Sequence, residues 1–162
     1  MANVERLVVG ISGASGIGYG LRALDACREL GVETHLVMSR SAALTLAQET
    51  QLSVADVQAK ADVSHKVSDV GAAIASGSFQ TLGMIVAPCS VRTMVKLAEM
   101  GAVIAPPLPA FYAKPQSLED VVDQSVGRAL DLFGLAWKPV KRWGEDIGPS
   151  GGASADALRD EG

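Results

Sequence analysis

A chain of 162 residues, 48% hydrophobic and with a formal net charge of −4, suits one globular α/β domain. It carries no basic cluster and only 4% aromatic side chains, which argues against nucleic acid as a partner. No apolar run approaches the ~20 residues that cross a bilayer, and Met1 to Arg6 lacks the pattern of a secretory leader, so a cytoplasmic protein with no membrane partner is expected.

The first strand is predicted over Arg6 to Gly10. It runs into the loop Gly10-Ile11-Ser12-Gly13-Ala14-Ser15-Gly16-Ile17-Gly18, and a helical pattern follows at once from Ile17 to Leu30, stopped by Gly31. Glycines allow close backbone approach, and the following helix points free N–H groups and its positive dipole end at the loop, which favours an anion such as a phosphate. The glycines match neither the dinucleotide fingerprint nor a Walker sequence. A tight strand-to-helix turn with no ligand therefore stays open as the plainer reading. The second strand, Glu33 to Met38, ends in Ser39, where a dinucleotide enzyme usually places an acidic residue. A serine there points to a mononucleotide such as FMN.

Further along, Ser41 to Glu49 is predicted helical, and Ser53 caps a short helix to Lys60. Asp62 to Ser78 is a polar, small-residue stretch with a short helix near Val70 to Ala75. Gly83 to Ala87 reads as a strand, Val91 to Met100 as a helix stopped by Gly101, and Ala102 to Ala105 as a further short strand. Ser117, with Asp120 at the third helical position, caps a helix running to Phe133. The alternation predicts a parallel sheet flanked by helices, with ligands at the carboxyl ends of the strands. Three loops there are chemically distinctive: Gly13 to Gly18, Ser39 to Ser41, and Pro88 to Thr93. In the third, Ser90, Arg92 and Thr93 open a helix and suit a phosphate or the polar edge of a flavin; an ordinary N-cap with a solvated Arg92 is the alternative. Cys27 and Cys89 match no metal or redox spacing, and a nucleophilic Cys89 has no histidine beside it in sequence.

The strings GISGASG, ETHLVMS, ASGSFQTLGMIVAPCSVRT and MGAVIAPPLPAFY, in this order, resemble the flavin prenyltransferase family over Leu7 to about Trp143. The resemblance implies a flavodoxin-like, Rossmann-like three-layer fold. It implies an enzyme that joins the dimethylallyl group of dimethylallyl phosphate to FMN, without a metal, and supplies prenylated FMN to a partner decarboxylase. Carried over by motif, Gly13, Ala14, Ser15, Ser39 and Ser90, Val91, Arg92, Thr93 would hold FMN. Tyr112 and Arg128 would hold the prenyl phosphate, and Trp143 would stand near the allyl group as the third catalytic residue. Residues 1–145 would form one FMN-binding domain and 146–162 a flexible tail, in a homo-oligomer.

The chain departs from that family in one large way. Members carry a long stretch between the SVRT-like loop and the MGAVI-like strand, including a lysine, an arginine and an adjacent glutamate of the site. Here Ser90-Val91-Arg92-Thr93 runs straight into Met94-Val95-Lys96-Leu97, so the helix reads as spliced and the sheet as smaller than the family's. Two other classes follow from this: an FMN-binding module without turnover, and the related flavin-dependent cysteine decarboxylases, for which His65 would be the histidine.

Overall fold

The computed structural model describes residues 4–148. The apolar run Arg6–Ile11 forms β1 at the centre of a four-stranded parallel sheet of order β3-β2-β1-β4, with β2 over Glu33–Met38, β3 over Val63–His65 and β4 over Gly83–Val86. Helix α1, Ile17–Leu30, starts after Gly16 and stops at Gly31; both glycines have φ in the left-handed region, at 99° and 72°. Helix α2, Arg40–Glu49, is capped by the Ser39 hydroxyl, which accepts from the Ala42 N–H. Reciprocal Ser–Asp capping boxes open α3, Val54–Gln58, and α5, Leu118–Asp131; Ser90 caps α4, Val91–Glu99.

Successive strand residues face opposite sides, so Leu7, Val9 and Ile11 share one face with their register partners Thr34, Leu36 and Met38. The buried core lies on that face. One part joins Leu7 to Ala23 and Cys27 of α1, Val126 and Leu130 of α5, and Trp137 and Val140 beyond it. The other joins Val9, Ile11 and Leu36 to Leu24 of α1, Ala42 and Leu46 of α2, and Val57 of α3. On the opposite face His35 stacks on His65 with ring centroids 5.2 Å apart and receives the edge of Phe79 at 4.9 Å.

Three local expectations change. Val63–His65 is a strand inside the polar, small-residue stretch for which only a short helix was expected, held beside β2 in register. The helix expected near Val70 to Ala75 is a single 3-10 turn at Ala73–Ala75. The strand expected at Ala102 to Ala105 is not formed: residues 102–109 are irregular and exposed. A parallel neighbour of β4 requires a crossover helix packed back on the sheet. Helix α4 buries none of its residues, so nothing draws the chain alongside β4, and the N–H-less Pro106 and Pro107 follow immediately. Of the tail expected at 146–162, residues 149–162 lie outside the described residues.

Candidate functional site

The three loops meet at the carboxyl edge of the sheet, and Ser12 joins two of them. Its hydroxyl donates to the Pro88 carbonyl at 2.9 Å and accepts the Ser90 N–H at 2.7 Å, while its own N–H reaches Pro88 O at 3.2 Å. Ser39 N–H donates to Ile11 O at 3.0 Å, tying the second loop to the first strand. Gly13 lies so close to α2 that a Cβ there would collide with Ser41. The edge carries two hydroxyl pairs, Ser39–Ser41 at 3.0 Å and Ser90–Thr93 at 2.9 Å. Gly13, Ala14, Ser15, Ser39, Ser90 and Thr93 are thus brought into one region. Val91 and Arg92, by contrast, are exposed on the first turn of α4, and Arg92 has no polar partner among the described residues.

The helix N-terminus expected to receive a phosphate is already filled. The Glu49 carboxylate, at the end of α2, accepts the Gly16 N–H at 3.0 Å and the Ile17 N–H at 2.9 Å. The Ser15 hydroxyl first, then these N–H groups, hold its carboxyl below the usual range. Sequence reasoning missed Glu49 because it stands at the far end of another helix, with no local signal of the contact. The electrostatic logic of the loop holds, but an internal anion satisfies it.

A second group assembles at the C-terminal end of the described chain. Tyr112, in the turn Phe111–Ala113, meets Trp143 edge to face, with centroids 5.4 Å apart and an interplanar angle of 73°. The neighbouring segment docks on α5 through paired Gln124–Lys141 hydrogen bonds of 2.7 and 3.2 Å and through Arg142 on Asp131. Arg128 is exposed on α5, with no ion pair or hydrogen bond to Tyr112 among the described residues. The structure brings Tyr112 and Trp143 together, and among the described residues no hydrogen bond, ion pair or cation–π contact joins Arg128 to either.

Cys89 lies beside the third loop, but burial raises its thiol pKa, which disfavours a thiolate. His65 is engaged on the sheet by His35, Nδ1 to Nε2 at 2.9 Å, and does not reach the loop edge through any hydrogen bond. Clefts of about 180 and 210 Å³ lie elsewhere, one between residues 113–116 and α5, the other among Val4, Arg6, Gln80 and Leu82. Both are smaller than the roughly 300–1,000 Å³ of ordinary ligand pockets. The hydroxyl-bearing loop edge lies apart from both clefts, whose linings share none of its residues. Hydroxyl pairs and a glycine loop there fit the polar groups of FMN, with the α1 N-terminus reserved by Glu49.

The family termed Flavoprotein matches residues 1–101. The flavin prenyltransferase UbiX of Escherichia coli K12 is 43% identical over 176 residues, covering 82% of this chain and 93% of that protein. The UbiX of Thauera aromatica is 41% identical over 181 residues, covering 85% and 93%. Because 82% of 162 residues is about 133, the 176 aligned positions leave about forty in the E. coli relative without a counterpart here. The crystal structure of AnUbiX (PadA1) in complex with FMN and dimethylallyl pyrophosphate superposes with a TM-score of 0.78 at 38% identity, covering 87% of this chain and 98% of that one. A dodecameric FMN-dependent UbiX-like decarboxylase from Escherichia coli O157:H7 gives 0.75 at 37% identity, covering 85% and 98%. By sequence and by fold, over most of its length, this chain belongs to the flavin prenyltransferase family, shortened internally by about forty residues.

Proposed function

We propose that this protein joins a dimethylallyl group from a dimethylallyl phosphate ester to FMN, yielding prenylated FMN for a partner decarboxylase. The convergence of three hydroxyl-bearing loops on the carboxyl edge of the sheet carries this reading. FMN, when bound, supplies the ring that accepts the allyl group. In this reading Gly13, Ala14, Ser15, Ser39 and Ser90 to Thr93 hold the flavin's polar groups. The Tyr112 hydroxyl and the Arg128 guanidinium take up charge on the departing phosphate, and the Trp143 face stands by the allyl group. The Tyr112–Trp143 contact supports part of this assignment; Arg128 rests on its motif position. A homo-oligomer in the cytoplasm, with both thiols free, completes the reading.

The shortened chain is expected to turn over slowly. Loss of one preorganised charge stabiliser can cost roughly 10²–10³ in rate, and the missing stretch removes a lysine and an arginine expected from the family resemblance. That same absence favours a second reading, in which the protein holds FMN without converting it. A mass-resolved assay with FMN and either dimethylallyl phosphate or dimethylallyl pyrophosphate decides between them. Prenylated flavin lost in Arg128→Ala and Tyr112→Phe supports the first reading. Bound but unchanged FMN supports the second, and protein that retains no flavin refutes both.

A further inference from the structure

The N-termini of α1, α2 and α4 all meet the loop edge, and they are not equivalent. Those of α2 and α4 are capped by neutral hydroxyls, Ser39 and Ser90, and each carries a hydroxyl pair and an arginine in its first turn, Arg40 and Arg92. That of α1 has no side-chain cap from its own N-cap residue, Gly16. It holds a carboxylate instead: Glu49 accepts the Gly16 N–H at 3.0 Å and the Ile17 N–H at 2.9 Å. The Ser15 hydroxyl also donates to it and does most to hold its carboxyl below the usual range. A carboxylate bound in this way shows that these N–H groups take an anion, and that the chain itself supplies one.

In a Rossmann-like sheet a dinucleotide rests its pyrophosphate on the N-terminus of the first helix, against the glycine loop. Here a pyrophosphate reaches the Gly16 and Ile17 N–H groups only by displacing Glu49. That breaks the carboxylate's bonds to Ser15, Gly16 and Ile17 and leaves its charge beside the pyrophosphate's own. The glycine loop is also closed against α2, since a Cβ on Gly13 would collide with Ser41. A nucleotide with a single phosphate escapes the conflict, because the hydroxyl pairs at α2 and α4 remain open to it. We propose that Glu49 selects against dinucleotides: it closes the α1 N-terminus to the pyrophosphate of a flavin such as FAD and leaves the loop edge to a flavin with one phosphate. This selectivity rests on the FMN reading of the loop edge.

Titration calorimetry of FMN and of FAD into the whole chain tests it, for the parent, Glu49→Gln and Glu49→Ala, with circular dichroism as the check on folding. The parent should hold FMN at least about tenfold tighter than FAD. That preference should fall about tenfold in Glu49→Ala, and by less in Glu49→Gln, whose amide oxygen still accepts the two N–H groups. In parallel, the Gly16 and Ile17 amide signals are followed by heteronuclear NMR while inorganic pyrophosphate is added. They should move in Glu49→Ala and stay in place in the parent. The proposal is overturned by a parent that binds FAD as tightly as FMN, or by a preference that neither folded variant moves. Parent amides that respond to pyrophosphate as those of Glu49→Ala do overturn it as well. A parent that binds no flavin refutes the FMN reading instead, and the pyrophosphate titration then decides whether Glu49 closes the helix end.

Discussion

Replacing Ser12 with Ala removes the hydroxyl that joins the first and third loops. It makes two bonds, accepting from Ser90 N–H at 2.7 Å and donating to Pro88 O at 2.9 Å. The Pro88 carbonyl keeps the Ser12 N–H at 3.2 Å, so the variant orphans one group, the Ser90 N–H. An orphaned buried donor costs about 1–3 kcal/mol, and partial solvent access here places the loss at about 1–2 kcal/mol. For a chain of this size each kcal/mol moves the Tm by about 2–4 °C, so thermal unfolding followed by circular dichroism should shift down by roughly 2–8 °C. Ser90 is also the α4 cap, and loosening it disorders the Ser90–Thr93 hydroxyl pair assigned to the flavin. Flavin affinity, read from fluorescence quenching, should fall about tenfold, the equivalent of 1.4 kcal/mol. Ser12→Thr keeps the hydroxyl and should retain most of both. An unchanged Tm would refute the energetic reasoning; a lowered Tm with intact flavin affinity would refute Ser12's part in shaping the site.

The Glu49 carboxyl is held below its ordinary range in the folded protein, so its contribution is present above the unfolded value of about 4.3 and fades as pH falls through the folded value. The stability gap between the parent and Glu49→Ala in urea should therefore be open at neutral pH and close in acid; a gap independent of pH would exclude the contact. Burial pushes the Cys27 thiol up to about 11 and also raises Cys89, so neither should react quickly with a disulfide reagent at neutral pH until the protein unfolds. One fast thiol in the folded protein would contradict this. Trp137 is buried, donates its indole N–H to Glu29 at 2.7 Å and lies under Arg22 at 4.7 Å. Trp137→Phe should cost about 1–3 kcal/mol in denaturant unfolding, and no loss would mean the indole contributes nothing beyond its bulk. Gly13→Val should lower stability even without flavin, because its side chain meets Ser41, and an unaltered Tm would show that the loop yields freely.

Apart from β3, the order of strands and helices through α4 was legible in the amino-acid sequence because its signals are local. Apolar runs mark β1, β2 and β4; Ser39, Ser53, Ser90 and Ser117 satisfy the first N–H groups of their helices within three residues. The three loops could be placed on one edge by the same reasoning, since parallel strands put all their carboxyl ends together. The motif strings carried the family. Contacts between distant segments were decided only by the tertiary structure. Glu49 reaches the α1 N-terminus from the end of another helix, and Ser12 binds a residue 78 positions away. β3 contains only three residues and depends on pairing with β2 for its existence, a constraint no local propensity encodes. The strand expected after α4 fails for the converse reason: its residues favour extended chain, but the crossover that would seat them beside β4 is not packed. Sequence thus determined what each segment prefers to be, through interactions spanning a few residues. Which segments meet, and which face of α4 is left without a neighbour, was settled by packing over the whole chain.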